Sequence, residues 1–176
     1  MNAIKERLTQ GNNRFATGAA KEHFLPEQRA QFLEGQSPYA VVVACSDSRV
    51  PVETIFDADM GELFIVRTAG HVLADASKAS IRFALEGLKT KCVVVLGHED
   101  CSAVKAALSD DAPEWFAPVT THVNPTPGST LAHAVDAHVL DTCAEIDEWL
   151  ERVGINDVNV FGGAYEITSG RVHWLS

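Results

Sequence analysis

Twice along this sequence an unbroken apolar run stops at a group of metal-ligating side chains. Residues 40–44 read Ala-Val-Val-Val-Ala and give way to Cys45-Ser46-Asp47-Ser48-Arg49. Residues 92–96 read Cys-Val-Val-Val-Leu and give way, after Gly97, to His98-Glu99-Asp100-Cys101. A strand that is apolar at every position has both faces covered, which is the condition of a strand in a parallel sheet with helices on either side. Such sheets collect their functional groups at the carboxyl ends of the strands, and both polar clusters lie there.

The rest of the chain supplies the other elements. Residues 62–67 (Glu-Leu-Phe-Ile-Val-Arg) read as a further strand, closed by Thr68-Ala69-Gly70, and residues 156–161 as another. Residues 164–167 and 172–175 flank the turn Thr168-Ser169-Gly170 and predict a hairpin or an added edge strand. Helical spacing is present over 2–17, 76–88 and 103–108, with a short helix over 27–33. It is strongest over 129–153, where Ser129 can cap and Gly154 ends the helix. Residues 110–128 hold four prolines with Trp115 and Phe116, and read as a loop with apolar anchors. The predicted fold is α/β: a parallel central sheet of about four strands with an added edge strand and helices on both faces, in a single domain over 1–176.

The two clusters contain two thiols, an imidazole and a carboxylate, the ligand types that zinc prefers. With the strands bearing them as neighbours, Cys45, His98 and Cys101 converge on one Zn2+, and the fourth position belongs either to Asp47 or to water. That choice separates a closed structural site from a catalytic one, in which the pKa of the bound water falls to about 7. The guanidinium of Arg49 can hold Asp47 in a two-pronged pair, off the metal and facing the water. The residue order thus describes a generator of zinc-bound hydroxide with an orienting acid. Cys92 and Cys143 lie in apolar patterns and read as core; Glu99 and Asp100 read as solvated or N-terminal helix charges and not as metal ligands.

Composition sets the outer limits. The 176 residues are 46% hydrophobic and 22% charged, a globular composition for one domain. A net charge of -10 argues against nucleic acid or an anionic membrane as partner. No apolar run reaches the roughly twenty residues of a membrane helix, and the start of the chain lacks a signal-peptide core, so a cytoplasmic location is expected. Free thiolates on a metal suit that compartment better than disulfides.

Three stretches resemble the β class of carbonic anhydrases: Cys-Ser-Asp-Ser-Arg-Val-Pro from Cys45, Gly-Glu-Leu-Phe-Ile-Val-Arg-Thr-Ala-Gly from Gly61, and Val-Leu-Gly-His-Glu-Asp-Cys from Val95. The similarity runs from Gly11-Asn12-Asn13-Arg14-Phe15 through Ser80-Ile81-Arg82-Phe83-Ala84 to the closing strand that contains Tyr165. The resemblance implies reversible hydration of CO2 to bicarbonate and a proton, with one Zn2+ per subunit on Cys45, His98 and Cys101. It makes Asp47 and Arg49 the catalytic pair. It implies a substrate-side role for Gln36 and Phe64, and places Ala69 and Gly70 along the channel. It also implies a homodimer or a multiple of dimers, with active sites at the interface and residues 1–35 as a helical arm on the partner.

Three positions depart from the family pattern. Ser102 stands where a glycine is usual, and His71 replaces a common asparagine. Val42 occupies the place of the tryptophan that some members use in a bicarbonate switch, and Arg67 and Tyr165 alone do not make that site, so no such regulation is expected. His71 reads as a proton shuttle or as a hydrogen-bonded structural residue; His23, His122, His133, His138 and His173 read as surface or helix-face residues. Two other functions use the same residues: turnover of another small linear substrate, CS2 or COS, and zinc binding without turnover.

Overall fold

The backbone, a computed structural model that describes residues 2–23, 26–109 and 111–176, is organised on one five-stranded sheet. Its central strands are β1 (Ala40–Cys45) and β3 (Cys92–His98), and every residue of both is buried. They pair with each other in parallel, Val41 to Ala44 of one opposite Val93 to Leu96 of the other. On the outer side of β1 lies β2 (Leu63–Thr68), also parallel. On the outer side of β3 lies β4 (Asn159–Tyr165), parallel again, followed by the short antiparallel β5 (Val172–Trp174). The order is β2-β1-β3-β4-β5, the expected parallel sheet with its added edge strand.

The helices are α1 (Ala3–Ala16), α2 (Val52–Ile55), α3 (Asp75–Arg82), α4 (Ser102–Ala107), α5 (Ala117–Thr120) and α6 (Leu131–Arg152). A π turn at Phe83–Gly87 prolongs α3, and a 3-10 turn occupies Pro26–Phe32. They cover both faces of the sheet. Val42, Ala44, Val94 and Leu96 face Leu8, Ile55 and Phe56; Val41, Val43, Val93 and Val95 face Ile81, Leu85, Val139, Ile146 and Leu150. Full burial of each valine contributes roughly 1.5–3 kcal/mol. With both faces apolar, hydrophobicity cannot by itself fix the register. Close approach of α6 does: a Cβ built at Gly97 would lie 2.5 Å from Val139 Cγ2, so only glycine lets the helix sit against β3 there.

α1 packs on its own chain. Leu8 is fully buried, and the Asn12 amide donates to the carbonyls of Ile55 (3.1 Å) and Gly170 (2.9 Å) while accepting from the Val172 N–H (2.8 Å). Beyond this face the 3-10 turn is followed by Leu33, 84% exposed. No helix among the described residues is long and apolar enough to cross a membrane.

Four local expectations change. The last parallel strand begins at Asn159 and runs through Gly162 and Gly163 to Tyr165, later than the 156–161 pattern, because Asp157 takes a left-handed turn (φ 60°). The cap of α6 is Thr130, whose Oγ1 accepts from the His133 N–H at 3.3 Å; Ser129 lies one residue too early. Residues 110–128 include the 3-10 turn Glu114–Phe116 and α5. Successive side chains of such a turn point about 120° apart. Phe116 therefore packs inward while Trp115 stays 78% exposed, its ring 5.4 Å from that of Phe116.

Candidate metal centre and active site

Because β1 and β3 are neighbours in register, they deliver their terminal residues to one place. Cys45 ends β1 and is 5% exposed; His98 ends β3 and is fully buried; Cys101 sits at the start of α4 and is 1% exposed. One ligand atom from each lies within 4.8 Å of the others. Cys45 and His98 arrive by strand pairing, whereas Cys101 arrives through the tight turn at Asp100 (φ 57°).

The donor chemistry fits a metal ion. The Glu99 carbonyl, 2.8 Å from His98 Nδ1, can only accept, which places the ring proton on Nδ1 and leaves a lone pair on Nε2. That Nε2 is buried and has no hydrogen-bond partner, an arrangement that costs free energy unless a cation takes the lone pair. The Cys45 sulfur accepts the N–H groups of Asp47 (3.4 Å) and Gly70 (3.3 Å). Its acidity is raised by the Cys101 thiol beside it and by His98, against the effect of burial; Cys101 is shifted the opposite way by the same contact. A dication that binds both sulfurs as thiolates displaces their protons.

Asp47 leaves the strand beside this cluster. Arg49 grips it with Nε to Oδ1 at 3.0 Å and Nη2 to Oδ2 at 2.8 Å, and the Arg49 N–H adds 2.9 Å to Oδ1. The guanidinium holds the carboxyl well below the usual carboxylate range, against a smaller opposing effect of burial. Asp47 Oδ2 stands 4.0 Å from His98 Nε2. Arg49 also donates to Asp100, at 3.4 Å to Oδ2 and 3.2 Å to the carbonyl, so Asp100 is tied to the site and is not a purely solvated charge. Glu99 is likewise engaged, accepting from the Thr168 N–H at 3.0 Å.

The remaining candidates divide. Gly70 is at the cluster: it donates to the ligand sulfur, holds φ at 60°, and a Cβ there would approach Ala103 Cβ to 2.8 Å. Ala69 precedes it, half-buried, in the same turn. Phe64 lies opposite Val41, four residues back along the sheet, and packs against Phe83 with ring centroids 6.2 Å apart. Gln36 is exposed ahead of β1, at the far end of the sheet from Cys45. Within one chain the fold brings neither to the cluster. A cavity of about 400 Å³ lies behind the 99–100 turn, lined by Glu99, Asp100, Leu131, Val135, Tyr165 and His173, and the three ligands are not part of its wall.

His71 is 1% exposed and stacked on His138, with centroids 4.3 Å apart. Burial first, and then His138, push its pKa well below the ordinary value, and neither ring nitrogen has a partner. Its observed neighbour is the stacked ring of His138, and its burial sets it back from solvent. His138, read from sequence as a surface or helix-face residue, is also buried and bonds the Gly70 carbonyl at 2.8 Å. Its place on the inward stripe of α6 with Val135, Val139 and Thr142 was the available signal. Ser102 is exposed, so it does not crowd the ligand beside it. Cys92 and Cys143 are buried free thiols pushed up to about 12 by burial, as core residues should be.

Fold and site together define an α/β protein with a candidate Cys-His-Cys metal centre where two parallel strands end. The family model for carbonic anhydrase matches residues 40–172. Over 99% of its length the chain is 35% identical to a carbonic anhydrase of Mycolicibacterium smegmatis, spanning 93% of that protein. It therefore belongs to the carbonic anhydrase family. Its fold is that of the β class. The β-carbonic anhydrase CafA of Aspergillus fumigatus superposes with a TM-score of 0.71 at 24% identity, covering 98% of this chain and 88% of that one. A tetrameric β-carbonic anhydrase of Sordaria macrospora gives 0.67 at 23% identity, covering 100% and 98%.

Proposed function

We propose that this protein catalyses the reversible hydration of CO2 to bicarbonate and a proton, with one Zn2+ per subunit held by Cys45, His98 and Cys101. Two thiolates and an imidazole are donors that suit zinc. The observation that carries the reading is the Asp47 carboxylate, gripped by Arg49 at both oxygens and 4.0 Å from the inward nitrogen of His98. A structural zinc site is closed by a fourth protein ligand, and a carboxylate engaged in this way is poorly placed to close one. When bound, zinc supplies a Lewis acid that makes water acidic near pH about 7.

The chain's own residues supply direction. Ionised Asp47 is an acceptor only, so it takes a hydrogen bond from the O–H of the attacking oxygen and leaves that oxygen's lone pair facing the carbon of CO2. Arg49 keeps Asp47 ionised and fixes its plane. The N–H groups of Asp47 and Gly70 hold the Cys45 sulfur. Ala69 and Gly70 line the approach to the site. Gln36 and Phe64, remote from the cluster in their own chain, serve the substrate pocket of an assembly.

That assembly is a homodimer or a multiple of dimers; of the arm expected over residues 1–35 of the single domain, α1 keeps its inner face on its own chain and the segment up to the exposed Leu33 reaches onto the partner. The exposed Leu33 and the tetrameric state of the Sordaria relative support it. Four free thiols suit the cytoplasm. Stopped-flow CO2 hydration by the zinc-loaded protein is the test, and absence of turnover between about pH 7 and 9 would overturn the reading. Turnover of CS2 or COS in its place would keep the site and change the substrate.

A further inference from the structure

We infer that Arg67 is a positioning residue for this reaction, clamping the backbone of the metal ligand Cys45 and of the acceptor Asp47 with a single guanidinium. Arg67 lies on the edge strand β2 opposite Ala44. Its Nε donates to the Cys45 carbonyl at 2.9 Å and its Nη2 to the Asp47 carbonyl at 2.6 Å. The inference rests on the hydration reading, in which Asp47 orients the attacking oxygen.

The chain leaves the sheet at this point. The Ser46 N–H still bonds the Thr68 carbonyl at 2.9 Å, but the residues after it have no strand partner. The Asp47 carbonyl would otherwise be held only by the Val50 N–H, at 3.0 Å, within its own turn. A planar, rigid fork that spans two carbonyls fixes their separation in a way that a single flexible donor cannot. Arg49 fixes the carboxylate end of Asp47 and Arg67 fixes its backbone end, so the residue is held at both.

The partners of Arg67 are carbonyl oxygens, where those of several other arginines are carboxylates. Arg14, Arg49 and Arg82 each meet a carboxylate. Among the described residues Arg67 has no ion pair, although the chain carries 24 acidic residues and a net charge of -10. Its identified bonds go to the two carbonyls that flank the site. A displacement of reacting groups by about 1 Å can cost on the order of a hundredfold in rate, which gives such a clamp a kinetic consequence.

The test compares Arg67→Met and Arg67→Lys with the wild type, and repeats Arg67→Met in an Asp47→Ala background. Arg67→Met is expected to keep one zinc per chain and to lose about ten- to a hundredfold in kcat with little change in KM. Arg67→Lys, a point donor that reaches one carbonyl, is expected to recover part of that loss. Without Asp47 the Arg67→Met loss should shrink below about twofold, since the clamp acts through that residue. Unchanged kcat in Arg67→Met, or an equal loss with and without Asp47, would overturn the proposal; should the Met variant not fold, the Lys variant carries the same comparison. Release of Co2+ from the cobalt-loaded protein to a chelator judges the clamp apart from turnover. It should quicken by about tenfold in Arg67→Met. If the wild type hydrates no CO2, the function fails while cobalt release still decides the clamp, and unchanged release sinks it.

Discussion

The carboxyl ends of β1 and β3 are built alike and held differently. Each is a fully buried apolar strand that stops at a ligand. The segment after Cys45 is held by two arginines: Arg49 on the Asp47 carboxylate and Arg67 on the carbonyls of Cys45 and Asp47. The segment after His98 is held through its carboxylates, Glu99 to Thr168 and Asp100 to Lys105, and through the turn into α4. On the proposed reading the first end presents a ligand and an ionised acceptor, and the second presents ligands alone. The difference follows from what each must control. A ligand needs the right distance, which a tight turn provides locally. A hydrogen-bond acceptor also needs direction, and direction takes bracing from a second element.

Removing a ligand should produce the largest effect. Cys101→Ala is expected to leave less than about 0.1 zinc per chain and to lose at least about a thousandfold in CO2 hydration, checked by elemental analysis beside kinetics. Stoichiometric zinc in that variant would break the assignment of ligands to the β3 end. Asp47→Ala should keep zinc and lower kcat/KM by about a hundredfold or more. Unchanged turnover would make the two ends equivalent after all.

A pH series sharpens the contrast further. Arg49 holds the folded pKa of Asp47 below the unfolded value of about 3.9, so the stabilisation from the pair is complete above that value and is lost as pH falls through the folded one. In metal-free protein Arg49→Gln should melt below wild type at about pH 7, and the gap should close as pH drops under about 4. A gap indifferent to pH would mean that Arg49 acts by packing. The smallest effect is expected from Asp100→Asn, an exposed carboxylate shared by Arg49 and Lys105, with kcat/KM within about twofold of wild type. A larger loss would show that the β3 end also helps to aim the acceptor.

Local pattern alone was enough to find β1, β3, the parallel sheet and the three side chains that converge in the candidate metal centre. A five-residue apolar run, valine-rich and bounded by polar turn residues, fits a strand covered on both faces, and ligand-type residues at two strand ends have few other uses. The same pattern was silent wherever a property depends on which elements touch. Arg67 read as the end of a strand and as part of an incomplete bicarbonate site; only β2 beside β1 put both carbonyls in its reach. His138 was one histidine among seven until α6 was seen to turn it onto the Gly70 carbonyl. Trp115 and Phe116, equivalent as letters, were separated by a single 3-10 turn, and Gln36 proved to stand at the wrong end of the sheet for its own chain's metal centre. Sequence by itself determined which strands are buried and which side chains could bind metal, because burial on both faces and donor chemistry are written in residue type. Tertiary structure decided which backbone each arginine holds and which chain's centre a residue can reach, because those depend on strand order and on distances between segments far apart in the chain.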